Sequence, residues 1–325
     1  MKKLLSLALA VLMLASILTL SACGDTIDPE LDVRIMVLNG TTGFGMAKLI
    51  SDDENDLTEL DYDISVETDA SNITYALLNG EVDIAALPTN AASVVYNRSE
   101  GGVQILAINT LGVLYLLSNG ETVTDFESLR GKTIYAPAQN PTFILKALCE
   151  ANGLTVGTDV FIDNSYAQPA DLRTAVAAGK VSLAVLPEPM VTIATSANKS
   201  LTVALDLTEE WDKVYEPGSL VQGCVVVRTE FAEQNPAEVA KFLEDYEASI
   251  QFLTTNTAEA AKMIVEAGIF ANEAVAAKAI PNCNVTYLDG KDMKAAMAKF
   301  LEIMHTVAPA SIGNAIPANN FYYTK

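Results

Sequence analysis

Residues 76–90 read ALLNGEVDIAALPTN, and residues 175–189 read AVAAGKVSLAVLPEP. The two stretches lie 99 positions apart with no gap. Six of their fifteen positions are identical: Ala76/Ala175, Gly80/Gly179, Val82/Val181, Ala85/Ala184, Leu87/Leu186 and Pro88/Pro187. Each runs as an apolar helix, a Gly stop, a buried strand and a Pro at the strand's carboxyl end, which is an α/β unit. Two unrelated helix–Gly–strand units would each look alike, but a gapless match at constant offset favours a repeat and hence two similar α/β lobes. Ligands of open α/β sheets bind beyond the carboxyl ends of strands. Pro88-Thr89-Asn90 and Pro187-Glu188-Pro189 are therefore expected as facing walls of one cleft.

Outward from the repeat, strands and helices alternate. Strands are expected at 33–38, 63–68, 84–87 and 103–109, with helices from Met46, over 73–79 and over 91–97. An apolar run over 111–118 has no helix before it and leads into a second set: strands 133–136, 160–162, 181–186 and 201–207, with helices 142–151, 170–178 and 190–197. After Trp211 an irregular stretch is expected, then a strand within 220–228 that returns the chain to the first lobe. Helices over about 237–253, 257–267, 271–280 and 290–306 follow. The first lobe is thus built from both ends of the sequence: 33–111 with 223–325 form lobe I, and 112–222 form lobe II.

The N-terminus reads as an address. Met1-Lys2-Lys3 is a positive n-region, and residues 4–20 are apolar apart from Ser6, Ser16 and Thr19. This is the pattern of a secretory signal rather than a membrane span. Leu20-Ser21-Ala22-Cys23 resembles the bacterial lipobox, which makes residues 1–22 a lipoprotein signal peptide, Cys23 the lipidated N-terminus and 23–32 a tether. The chain carries a formal net charge of −21. Removing 1–22 takes away two lysines and no acid, leaving 18 bases against 41 acids, or −23. That balance excludes nucleic acid as a partner, because phosphate neutralisation needs clustered cations. Cys149, Cys224 and Cys283 are odd in number and lack Cys-x-x-Cys spacing, so neither a disulfide framework nor a metal site is expected.

The lipobox, Leu77-Leu-Asn-Gly-Glu-Val-Asp-Ile84, Phe126-Glu-Ser-Leu-Arg-Gly-Lys132 and Val185-Leu-Pro-Glu-Pro-Met190, in this order, resemble the extracytoplasmic solute-binding proteins of bacterial ABC importers. The likeness is to the branch for nitrate, sulfonates, taurine and thiamine-pyrimidine precursors. It implies the two-lobed periplasmic-binding-protein type 2 fold, each lobe a mainly parallel sheet flanked by helices. It also implies two crossover strands as a hinge near 110–114 and 221–225, and a permease and ATPase as partners.

An enzyme is not expected. His305 is the single histidine, no Gly-x-Ser-x-Gly elbow is present, and no phosphate-binding Gly-x-x-x-x-Gly-Lys loop occurs. Gly40-x-x-Gly43-x-Gly45 has the reverse of dinucleotide-binding spacing. No cofactor is implied. A ligand sensor facing a membrane partner and a surface hydrolase are the alternative classes.

Six strand-to-helix mouths should line the cleft: 39–44, 69–72, 88–90, 139–143, 164–168 and 187–189. None contains Lys or Arg. They supply Asn39, Thr41, Thr42, Ser71, Asn72, Thr89, Asn90, Asn140, Thr142, Asn164 and Gln168, aromatic faces at Phe44, Phe143 and Tyr166, and a carboxylate at Glu188. Amides and hydroxyls with aromatic walls suit a flat polar heterocycle, although Asn and Thr also sit at such places simply to cap helices. Pro187 and Pro189 fix the direction of Glu188. Lys180 lies a strand length away, about 20 Å, so the carboxylate is expected to accept from a ligand amine or ring N–H.

Overall fold

The computed structural model describes residues 26–324. The expected signal peptide, Cys23 and its lipidation lie outside the described residues. The chain opens with β1 (Asp32–Leu38), α1 (Thr41–Phe44), α2 (Ala47–Asp53), β2 (Asp61–Glu67), α3 (Ala70–Asn79), β3 (Ile84–Pro88), α4 (Thr89–Arg98) and β4 (Val103–Thr110). It crosses into β5 (Leu114–Ser118), β6 (Thr133–Tyr135), α5 (Asn140–Ala151), β7 (Phe161–Asp163), α6 (Pro169–Ala177), β8 (Leu183–Pro187), α7 (Met190–Ala197), β9 (Thr202–Asp206) and α8 (Leu207–Val214). It returns through β10 (Gly223–Arg228) to α9 (Thr229–Gln234), α10 (Pro236–Thr255), α11 (Thr257–Glu266), α12 (Glu273–Ala279), β11 (Val285–Leu288) and α13 (Gly290–Val307).

Among the described residues these strands form a six-stranded sheet, β11-β4-β10-β3-β1-β2, and a five-stranded sheet, β7-β6-β8-β5-β9. The inner five strands of the first, β2-β1-β3-β10-β4, match β7-β6-β8-β5-β9 slot for slot. In both, three strands run parallel, the crossover strand (β10 or β5) is inserted antiparallel, and the strand beyond it reverses again. The sequence repeat fills one slot twice: β3 ends at Pro88 opposite Gly223, and β8 ends at Pro187 opposite Leu114. Gly80 (φ 69°) and Gly179 (φ 71°) close α3 and α6 in the left-handed conformation that a Cβ disfavours.

Three differences from the sequence reading have local causes. The stretch around Trp211 is helical, because the Asp206 carboxylate caps α8 by accepting from the backbone N–H groups of Thr208 and Glu209. The indole, wholly buried, donates to Ser219 Oγ at 2.8 Å. Residues 285–288 add an edge strand, too short and too mixed in polarity to stand out. The third lies just before the sheet: Asp28 N–H donates to Glu238 at 2.9 Å, Ile27 and Leu31 pack on the first lobe, and Asp32 already belongs to β1.

Apolar packing joins the lobes along one side. Met293, Met297, Phe300, Leu301 and Met304 of α13 are fully buried in a core continuous with Ile144, Leu145 and Leu148 of α5, and Trp211 lies 6.3 Å from Phe300. Cys149, Cys224 and Cys283 are buried free thiols, and burial raises each thiol pKa. Among the described residues no helix is long and apolar enough to cross a membrane.

Candidate cleft between the lobes

A cleft of about 540 Å³ opens where the lobes meet and continues as a groove between two helices. Its first wall is one face of α3, with Ser71, Tyr75 and Leu78 one turn apart in succession. Asp69 fixes the start of that helix by accepting from Ser71 N–H at 2.8 Å. The second wall is a stripe of α4, Asn90, Val94 and Arg98, at the i, i+4, i+8 spacing of one helix face. The opposing lobe contributes Gln139 and Phe143 from the start of α5, and the C-terminal turn Pro309–Ile312 contributes Ala310 and Ser311.

Unpartnered polar atoms gather here. Asn90 is 8% exposed, its amide donates to Ser311 C=O at 3.4 Å, and its Oδ1 has no partner. Ser311 Oγ and Asn140 Oδ1 are also buried without a partner. Among the described residues only Thr208 Oγ1 shares that condition elsewhere. A buried acceptor left unmade costs about 1–3 kcal/mol, and such atoms in a cavity wall are complementary to ligand donors. Arg98 is exposed and has no acidic partner among the described residues. The strand-end mouths hold no cation, as read, but the groove extends two turns down α4 and reaches this one. A search confined to loop ends could not find it.

Of the other expected contacts, most are held by the protein itself. Thr89 is buried and its hydroxyl donates to Val221 C=O at 2.8 Å. Thr142 Oγ1 donates to Pro137 C=O at 2.8 Å and accepts from Asn164 at 2.6 Å. Asn72 donates to Glu67 at 3.1 Å. Thr42 C=O takes the Asn109 amide, Phe44 is buried edge-on to Phe270 at 6.2 Å, and the Tyr166 ring stands 6.0 Å from Tyr135. Asn39 is exposed and Thr41 half-buried on the loop and first turn after β1. Gln168 precedes α6.

Glu188 differs most from its expectation. It is 3% exposed, and its two oxygens accept from Thr192 N–H at 3.0 Å and Thr192 Oγ1 at 2.9 Å. It follows β8 after a strand-end Pro and precedes a cis Pro189. Burial raises its pKa, and the Thr192 donors, with Asn282 and Lys278 of the first lobe, pull it back. The carboxylate serves the first turn of α7, and it is not among the residues lining the cleft.

Residues 57–260 match the family model described as NMT1/THI5 like. This chain belongs to the NMT1/THI5-like family. A comparison with curated proteins finds no match. Solved structures resemble this NMT1/THI5-like chain over nearly all its length. An ABC transporter protein from Parabacteroides distasonis is 24% identical, with a TM-score of 0.76 over 92% of this chain and 100% of that one. The periplasmic aliphatic sulphonate binding protein SsuA of Escherichia coli is 14% identical, at 0.70 over 91% and 93%. The periplasmic nitrate-binding protein NrtA of Synechocystis PCC 6803 is 12% identical, at 0.64 over 88% and 85%. These likenesses establish the two-lobed periplasmic-binding-protein type 2 fold for this family member.

Proposed function

We propose that this chain is the extracytoplasmic solute-binding component of an ABC importer. It captures a small polar, heteroaromatic solute between its lobes and hands it to a permease with its ATPase, while lipidated Cys23 holds it at the membrane. The observation that carries the reading is the cleft itself. Its walls come from both lobes, and three buried polar atoms in or beside those walls, Asn90 Oδ1, Ser311 Oγ and Asn140 Oδ1, have no hydrogen-bond partner among the described residues. Aromatic faces at Tyr75 and Phe143 complete a site suited to a flat ring bearing N–H or O–H donors. Family membership supports the same reading, as do structural relatives named for sulphonate and nitrate binding. His305, the single histidine, lies exposed on α13 and does not line the cleft.

Native mass spectrometry of protein purified from its own host tests the proposal. A small co-purifying mass is expected, released on denaturation and diminished at least tenfold in Asn90→Ala, with folding unchanged by circular dichroism. Ligand-free protein, together with no thermal shift across a solute library, would remove the proposal. Retention of Cys23→Ala in the membrane fraction would remove the anchor alone.

A further inference from the structure

The groove has two chemically different ends. At the inner end, Asn90 Oδ1 and Ser311 Oγ are buried without partners, beside the start of α5. Eight residues along α4, or about 12 Å at 1.5 Å per residue, Arg98 stands at the outer end. Between them the walls are mostly apolar: Leu78, Ala91 and Val94, with Thr74, whose hydroxyl donates to Ala70 C=O at 2.9 Å, and the Tyr75 ring 62% exposed above the groove. Among the described residues Arg98 and Arg173 have no acidic partner, whereas Arg34, Arg130 and Arg228 are each ion-paired, and of the two only Arg98 lines the groove. An arginine without an acidic partner among the described residues, at the end of a largely apolar groove, is a cation available to a ligand anion.

We propose that the groove between α3 and α4 is a second subsite that selects elongated solutes with a donor-bearing head, a short apolar body and an anionic terminus. The head meets Asn90 and Ser311, the body lies along Leu78, Val94 and Tyr75, and the anion meets Arg98. A compact head-only solute fills the inner end and leaves Arg98 unused. The subsite rests on the solute-binding reading and adds the length and charge of what is bound. Arg98 is a specificity residue: it discriminates between solutes that share a head. Because Arg98 is exposed, solvent screens its pairing, and the discrimination is modest, about three- to tenfold.

The test uses 4-(4-aminophenyl)butanoate, its methyl ester and 4-butylaniline as probes, with calorimetric titration of the full chain. The butanoate is expected to bind about three- to tenfold more tightly than either neutral probe. That margin should disappear in Arg98→Ala, persist in part in Arg98→Lys, and shrink in half-molar salt, while the neutral probes bind all three proteins alike. Equal affinity for acid and ester would overturn the subsite and leave the solute-binding reading intact. So would an acid preference that survives Arg98→Ala. Failure of all three probes to bind wild-type protein would also overturn it, and the host-purified mass then judges the broader reading separately. A groove that instead docks an apolar partner segment would show neutral-probe preference, which likewise counts against the proposal.

Discussion

Thr89 and Glu188 are equivalent in the repeat, and their backbones do the same work. Thr89 N–H donates to Gln222 C=O at 3.2 Å, and Glu188 N–H donates to Val113 C=O at 3.0 Å, so each clips a strand end to the chain entering a crossover strand. Their side chains turn inward for structural ends, Thr89 to Val221 C=O and Glu188 to Thr192, which residue type alone does not reveal. A carboxylate beside a helix start has amide N–H donors within reach, and Thr192 supplies one along with a hydroxyl. Thr192→Val should therefore lower stability by about 1–2 kcal/mol, read as a fall in Tm. The Glu188 pKa is raised in the folded state, so stability contributed by that group declines as pH rises from its unfolded value through its folded one. Removing a donor should steepen that decline, and Glu188→Gln should abolish it; an unchanged pH profile in both variants would contradict this role.

Asp83 carries the opposite sign. It is 3% exposed and burial alone would raise its pKa, but hydrogen bonds from Arg34 at 2.7 Å and Arg228 at 3.0 Å hold it below the ordinary carboxylate value. Its contribution is present above the unfolded value, near pH 4, and is lost as pH falls through the depressed one. Asp83→Asn should cost about 2 kcal/mol at neutral pH, after discounting for the partly exposed arginines. Urea titrations from pH 3 to 7 should show the acid limb flattened in the variant.

At the scale of elements, the repeat was the most legible feature. β3 and β8 span 84–88 and 183–187, and α3 and α6 begin at 70 and 169, so the 99-residue offset persists in the fold. Helix stops were readable because Gly80 and Gly179 are needed in the left-handed region, where Ala at either position should cost about 1 kcal/mol. The two sites lie on different sheets, so the losses in a double variant should add to within a few tenths of a kcal/mol, measurable by chemical denaturation. What was not legible had weak local signals. The α8 cap is hidden in the sequence because Asp206 follows an apolar run and extends a strand pattern. The cleft's lining was half-readable: Ser71, Asn90 and Phe143 lie at helix starts, whereas Tyr75, Arg98 and Ser311 enter only through helix faces and a distant turn.

For the whole molecule, two crossings at 110–114 and 221–225 allow the lobes to rotate, while α13 binds them along one side with buried apolar contacts. Closure is therefore expected to pivot about that seam. Small-angle scattering of host-purified protein against the same protein stripped of its solute should show a smaller radius of gyration in the loaded form. Equal radii would indicate a site already shaped before binding.

The antiparallel crossover strand has a further consequence, in time rather than space. β3 and β4 are not neighbours; β10 separates them, and it is made more than a hundred residues after either. The five-stranded sheet draws all its strands from 114–206, a single uninterrupted stretch. Contacts between residues close in sequence form sooner, since less chain must be closed to make them. The lobe made from the middle of the chain should thus nucleate first, and the sheet begun at Asp32 should wait open for its central strand. In pulse-labelled hydrogen exchange during refolding, amides of β5 and β8 should gain protection ahead of those in β3 and β10.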